Sequence, residues 1–441
     1  MKIDLLKTKV TSLLPNKNSE QKTQNFVPQQ KTGKEHPFIH RWSAPVELIY
    51  NPFKNGIMPI SMRNKMFPKD AKYRAELAHS LGITNPESLS AVVGAQELKT
   101  ILKNSKPTNF VPALGENNKP TNPDFCINIH IHSKYSDGCL EVKDILDQAQ
   151  QYAEETSKPF LFSISDHDSL EGTKEALELI SQNPEKYDKI LFVPSIELNV
   201  KYQNPSITRP EVGRNYAYQL EVLGYSINPF NKNLNAFIDE LKTDNRQVVE
   251  GFFDAFQTLG LDVDLEEARL EKKSDNGNRT HLYYLGSAGI LDDAKKYIYS
   301  KAKLIEDEKE RETIYKNIES YFETYRLEYG NRNLMPKTPD LKRAVHLLTN
   351  GGFGFVGIAH PAKISLDGAN QFGNFALKKI IDDFIKFGGC AMEYNYQYTD
   401  TEGNQEYCDW IDSINKYYND IHPKAIKAGG IDTHGTNIFK R

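Results

Sequence analysis

From Cys126 onward, short apolar runs alternate with longer stretches whose apolar residues recur at helical spacing. "CINIHI" predicts a strand, "VKDILDQAQQYAEE" a helix, "FLFSIS" a strand, "TKEALELIS" a helix and "ILFVPSIEL" a strand. That is the βαβ rhythm of an α/β fold built on a parallel sheet, whose chemistry gathers at the C-terminal ends of the strands. Near Tyr225 the rhythm breaks. A charged helical pattern then occupies residues 229–341, including "NAFIDELKTDNRQVVEGFFDAFQTLG" and "KLIEDEKERETIYKNIESYFETY", and reads as an inserted helical subdomain. The alternation resumes with helix "LKRAVHLLTN", strand "FGFVGIAH", helix "ALKKIIDDFIKF", strand "CAMEYN", helix "QEYCDWIDSINKYY" and a closing strand in "PKAIKAGGIDTHG".

The chain therefore divides into 1–35, polar and predicted to be disordered; 36–120, an N-terminal extension; 121–228 and 342–441, two parts of one α/β unit; and the insertion 229–341. Helical patterning in the extension lies in "KDAKYRAELAHSLG" and "ESLSAVVGAQELKTILK". A net charge of -4 and a pI near 6.3 give no bulk field for duplex DNA. Four cysteines without a CxxC pair fit a reducing compartment, and no apolar run approaches the ~20 residues of a membrane span. A cytoplasmic location is expected.

The strand ends carry a pattern that composition does not dictate. In "CINIHI" the alternation of a strand puts His130 and His132 on one face and Ile127, Ile129 and Ile131 on the other, with Asp137 in the next loop. "SDHD" supplies Asp166, His167 and Asp168, "SIEL" Glu197, "LEVLGY" Glu221, "IAHP" His360 and "GIDTHG" Asp432 and His434. Singly, each has an ordinary explanation: a strand-end cap, a turn former, a surface carboxylate. Together they place imidazole and carboxylate at nearly every strand end, the donor set that suits Zn, Mn or Fe. "GGFG" lacks the Lys-Ser/Thr pair of a phosphate loop and opens a strand. The tyrosines of the insertion read as the lining of a solvated helix pair and not as a base-stacking platform.

"HIHSKYSDG", "ISDHDSLEG", "PSIELNV", "LEVLGYSI", "NRTHLYYL", "GIAHPA", "AMEYN" and "GGIDTHG" resemble, in this order, the successive motifs of the PHP (polymerase and histidinol phosphatase) family of metallophosphoesterases. The resemblance implies a distorted (β/α)7 barrel holding two or three divalent ions. It implies ligands at His130, His132, Asp137, His167, Glu197, Glu221, His360, Asp432 and His434. Glu221 stands where the similar branch has histidine, which makes that position harder and more negative. The insertion resembles the branch with nucleoside 3′,5′-bisphosphate phosphatases and 5′-to-3′ RNA exonucleases. That implies Arg279 as a phosphate clamp, His281 as an orienting or proton-transferring group, and a small phosphorylated nucleotide or short RNA end as substrate. Asp166 is expected to orient an imidazole and Asp168 to cap a helix. The alternatives are a sugar or amino-alcohol phosphatase of the histidinol phosphate type, and a metal-binding interaction module without catalysis.

Overall fold

The computed structural model describes residues 50–110, 124–208, 215–264, 289–331, 339–349, 353–361, 373–394 and 405–439. The disorder expected of 1–35 lies outside them. Seven strands form one sheet in chain order: β1 Ile127–Asn128, β2 Phe160–Ile164, β3 Ile190–Thr208, β4 Asn215–Tyr225, β5 Phe355–Ile358, β6 Ala391–Glu393 and β7 Ile426–Ala428. β1, β2 and β3 run parallel, as do β5, β6 and β7, while β4 is antiparallel to both its neighbours. Past β7 the chain returns to the segment past β1. Ile129 N–H donates to the Gly429 carbonyl at 3.2 Å, Thr433 N–H to His130 at 3.2 Å, and His132 N–H to Thr433 at 2.9 Å. The α/β sheet therefore curls until its ends meet, in a barrel-like ring.

Alternation along β2 decides which layer each residue joins. Phe160, Phe162 and Ile164 point outward to Ile145, Leu146 and Ala149 of the helix Val142–Thr156 and to Ala176, Leu177 and Ile180 of the helix Glu171–Gln182. Leu161 packs instead with Leu191, Val193, Leu223 and Tyr225. The extension belongs to this second cluster. Its helix Ala95–Lys103 carries Leu98, Ile101 and Leu102 at i, i+3 and i+4, and these residues pack with Ile127, Leu161, Phe355, Ala391 and Ile426 at the N-terminal ends of the strands. The described part of the extension thus plugs the ring at the end away from the histidines.

Four elements differ from the sequence reading. "ESLSAVVGAQELKTILK" is not one helical stretch: a 3-10 turn Pro86–Leu89 gives way to a parallel bridge of Val92 with Phe192, and the helix starts only at Ala95. The backbone groups of Ala91 and Val93 are taken by Phe192, so they are not free to continue a helix. In "CINIHI" only Ile127 and Asn128 are in the ladder. Gly430 passes so close that a Cβ there would lie 2.4 Å from His130 Cβ, and the segment bends around it. Ile127 and Ile129 consequently pack over the plug while Ile131 joins the cluster under the outer helices. β3 runs on to Thr208, forming a long antiparallel pair with β4. The closing strand is confined to Ile426–Ala428.

Within the insertion, the 27-residue helix Lys232–Thr258 belongs to two cores. Leu234, Phe237, Ile238 and Leu241 pack on the barrel, and Phe252, Phe253 and Phe256 pack with Tyr297, Ile298, Ile314, Ile318 and Phe322 from the helices Gly289–Ala302 and Glu308–Asn331. Phenylalanine and isoleucine dominate that second core, with Tyr299, Tyr315 and Tyr321 partly buried at its edge.

Candidate metal centre

The nine strand-end residues meet in one place, at the C-terminal end of the sheet. Their donor atoms form three overlapping groups: His132, Asp137, His167 and His434; His130, Glu197, His360 and Asp432; and His167, Glu197 and Glu221. Within each group the donor atoms lie within 4.8 Å of one another. Glu197 sits at the centre, with Oε2 3.1 Å from His130 Nε2, 3.3 Å from His132 Nε2 and 3.1 Å from His167 Nδ1, and Oε1 3.1 Å from His360 Nε2. The antiparallel turn of β4 brings Glu221 to it. Asn199 lies opposite Glu221, so Glu197, two residues earlier, is its diagonal neighbour on the same face.

Each of three imidazoles is pinned at Nδ1. His130 Nδ1 donates to Glu393 Oε1 at 2.9 Å, and His434 Nδ1 to the Asp432 carbonyl at 2.9 Å. Ser136 gives its one hydroxyl hydrogen to Asp166 Oδ1 at 2.8 Å, so at 3.2 Å from His132 Nδ1 it acts as the acceptor. All three rings are left presenting Nε2 inward. His130 Nε2 and His132 Nε2 stand 3.1 Å apart, both near Asp432 Oδ1 at 3.3 and 3.1 Å, and His434 Nε2 is 3.1 Å from Asp137 Oδ2. Glu393 also accepts from the His360 backbone N–H at 2.6 Å. His360 and Asp432 hold positive φ values of 21° and 53°, a cost that non-glycine residues bear chiefly where the surroundings demand it.

The donor set fits divalent cations. Glu197 Oε2 and Asp137 Oδ1 are buried oxygens with no hydrogen-bond donor, although imidazole nitrogens surround them. Electrostatics of the metal-free chain tell the same story. Burial disfavours the charged imidazoles of His132 and His360, yet Asp137, Asp432 and Glu197 around the first, and Glu197 and Glu221 around the second, outweigh it and push each up to about 10. His130 is likewise raised, while Glu197 and Asp432, against the cost of burial, are held well below the ordinary carboxylate range by the imidazoles. Glu221 is lowered less, since burial and Glu197 both oppose its charge before His360 favours it. His167 is lowered by burial. Asp137 and His434 form the accessible rim, each about one-third exposed, at 33% and 32%.

Two flanking residues act otherwise than expected. Asp166 touches no imidazole; it accepts from Ser133 N–H and Oγ, both at 2.7 Å, and reaches His132 only through Ser136. Asp168 caps no helix, since Leu170 occupies that position before Glu171. Its carboxyl, pushed up to about 7 by burial, accepts from Asn199 N–H at 3.2 Å and Nδ2 at 2.8 Å and ties the loop to β3. Glu393 and Ser136 were not singled out by the sequence reading, although "AMEYN" and "HIHSKYSDG" contain them. Arg279 and His281 lie outside the described residues.

No protein-family model and no curated protein matches the chain. Among solved structures, it is similar to an amidohydrolase from Chromobacterium violaceum with bound sulfate and no metal, at 19% identity over 70% of this chain and 87% of that one, TM-score 0.43. It is also similar to a protein from Bifidobacterium adolescentis assigned as a metal-dependent phosphoesterase, at 16% identity over 70% of this chain and 88% of that one, TM-score 0.40. Among the described residues no helix is long and apolar enough to cross a membrane.

Proposed function

We propose that the chain is a metal-dependent phosphoesterase of the PHP type, acting in the cytoplasm on small phosphorylated nucleotides or the 5′ end of short RNA. The observation that carries the metal-dependent part is the pinning of His130, His132 and His434 at Nδ1, which aims three Nε2 atoms at Glu197, Asp432 and Asp137, two of whose oxygens, Glu197 Oε2 and Asp137 Oδ1, are buried without a hydrogen-bond donor. The three groups of His, Asp and Glu side chains would hold two or three ions, with Glu197 and His167 each shared between groups. Divalent ions bound there would supply Lewis-acid chemistry, lowering the pKa of water and taking up charge on phosphoryl oxygens.

The protein's own groups do the rest. Glu393, Ser136 and the Asp432 carbonyl fix the tautomers, and the burial of His130, His132, Glu197 and His360 keeps bulk water from the inner face. Asp137 and His434, at the open rim, mark where a substrate enters. The phosphoester and nucleotide part of the reading rests on the motif resemblance, with Arg279 as clamp for the phosphate and His281 to orient it or donate a proton.

The test is phosphate release from adenosine 3′,5′-bisphosphate, a 5′-phosphorylated short RNA and histidinol phosphate, with Mn, Zn or Fe supplied. Hydrolysis of the nucleotide substrates is expected, abolished in His130→Ala and strongly reduced in Arg279→Ala. Activity on histidinol phosphate alone would reject the substrate class. Bound metal with no hydrolysis of any of the three would reject the phosphoesterase.

A further inference from the structure

β3 does not stop at the metal centre. It runs past Glu197 to Thr208 beside β4, and strand alternation divides that outgoing stretch into two faces. Leu198, Val200 and Tyr202 are buried with Leu234, Phe237, Leu341 and Phe384. Asn199, Lys201 and Gln203 therefore lie on the face that carries Glu197. Asn199 shows the direction of that face by donating from Nδ2 to Asp168 Oδ2 at 2.8 Å, in the loop beside His167. Lys201 is the first cation on this face of β3 beyond the ligands. At ~3.3 Å per residue its Cα sits roughly 7 Å past the rung on which Asn199 lies opposite Glu221.

The lysine is half-buried, and its backbone is fixed from both edges: Gln219 of β4 lies opposite, and its N–H donates to the Pro339 carbonyl at 3.0 Å. Among the described residues its ammonium has no ion-pair partner. Asp340, beside it across a parallel bridge, turns instead to the helix Leu341–Thr349, where Oδ1 accepts from Arg343 N–H at 2.8 Å. Lys134 and Lys174, from the elements that follow His132 and His167, are engaged already: Lys134 pairs with Glu141 and lies 3.9 Å from Glu175, and Lys174 donates to Asn235 Oδ1 at 2.7 Å. A partly desolvated ammonium without a counter-charge is held at a cost that an arriving anion offsets.

We propose that Lys201 is a subsite for a second phosphate of the substrate, one that is bound and not cleaved. This rests on the phosphoesterase reading above, in which the ions and Arg279 hold the phosphate that reacts, and adds to it a preference for substrates with two or more phosphates. Lys201 stands a full rung outside the ligands, so its point charge serves whatever protrudes from the centre along β3. The second phosphate of a nucleoside bisphosphate and the next phosphodiester of a short RNA both present that chemistry.

The experiment compares adenosine 3′,5′-bisphosphate and a 5′-phosphorylated trinucleotide with p-nitrophenyl phosphate, which has a single phosphate, on the metal-loaded full chain. kcat, KM and the number of bound metal ions are measured for wild type, Lys201→Gln and Lys201→Arg. In Lys201→Gln, KM for the substrates with a second phosphate should rise about tenfold or more at unchanged kcat, since the lost contact is made equally in the ground and transition states. The preference for those substrates over p-nitrophenyl phosphate should fall by the same factor with the metal count unchanged, and Lys201→Arg should restore most of it. A rise for either substrate supports the subsite, and the larger rise identifies its source as mononucleotide or RNA. An equal loss on p-nitrophenyl phosphate with fewer ions bound would make Lys201 a support of the metal centre, and an unchanged KM for both other substrates would leave it no part in binding; each result overturns the inference. If the wild-type chain binds metal and hydrolyses none of the three, the phosphoesterase reading itself falls and this subsite with it.

Discussion

At the scale of single residues, the centre depends on a carboxylate that belongs to none of the three donor groups. Glu393 holds His130 Nδ1 with one oxygen and the His360 backbone N–H with the other, so one side chain fixes a tautomer and a strained loop together. Glutamine has only one acceptor oxygen and must abandon one of these bonds. Glu393→Gln is therefore expected to weaken metal binding roughly 10- to 100-fold with the fold intact, measured by competition with a chromophoric chelator. An unchanged affinity would mean that His130 is oriented by other contacts. The histidines and carboxylates of the strand ends were legible because each lies in a short local motif. Glu393 was not, because its partner lies 263 residues away and nothing in "AMEYN" announces a second role. Ser136 was hidden differently: a serine in a loop gives no hint which way its single hydrogen points.

At the scale of elements, helical and strand patterning in the sequence located most of the elements, but direction and continuity escaped it. The apolar alternation of "LEVLGY" reads the same for either strand direction, and the antiparallel run of β4, which brings Glu221 beside Glu197, is settled by pairing with β3 and β5. The break before Ala95 is likewise a long-range effect, since Phe192 claims the backbone around Val92. The helix that follows has Gly94 at its N-cap, a residue with no side chain to cap it. Asp70 supplies the cap from another helix, accepting from Gln96 N–H at 3.1 Å and Glu97 N–H at 2.7 Å. A Cβ on Gly94 would lie 2.4 Å from Asp70 Cγ. One turn on, buried Glu97 receives Arg63 in a bidentate pair at 2.7 and 2.8 Å and the Tyr50 hydroxyl at 2.9 Å. Glu97→Ala strands the Arg63 charge in the interior, so a loss of about 3–5 kcal/mol is expected in urea unfolding. A change below about 1 kcal/mol would show that the extension relaxes and lets water reach Arg63. Since this network anchors the plug beneath β1, β2 and β5, its failure should expose Leu161 and Phe355 and promote aggregation.

At the scale of the whole molecule, the centre couples proton, metal and stability. Without metal, His132 and His360 are raised from 6.5 to about 10 by neighbouring carboxylates. A group whose folded value is raised contributes stability that is fully present below its unfolded value and lost as pH climbs through the folded one. The metal-free chain should accordingly lose stability from about pH 6.5 toward pH 10. Its carboxylate partners Glu197 and Asp432 are shifted down, so their contribution disappears on the acid side, as pH falls below the ordinary 4.5 and 3.8. A divalent ion needs neutral imidazole, and binding it must expel those protons. Calorimetric titration with Zn²⁺ at pH 8, repeated in buffers of different ionisation enthalpy, should thus report net proton release. The stabilisation that the ion confers should grow as pH rises, opposite in slope to the metal-free protein. His360→Gln removes one of the three raised imidazoles, leaving His130 and His132, and should reduce the protons released while lessening the alkaline loss. Binding without proton release at pH 8 would mean that the carboxylates do not hold these imidazoles charged. The ring of imidazole and carboxylate would then have to be arranged more loosely in solution than the 3.1 Å contacts of Glu197 require.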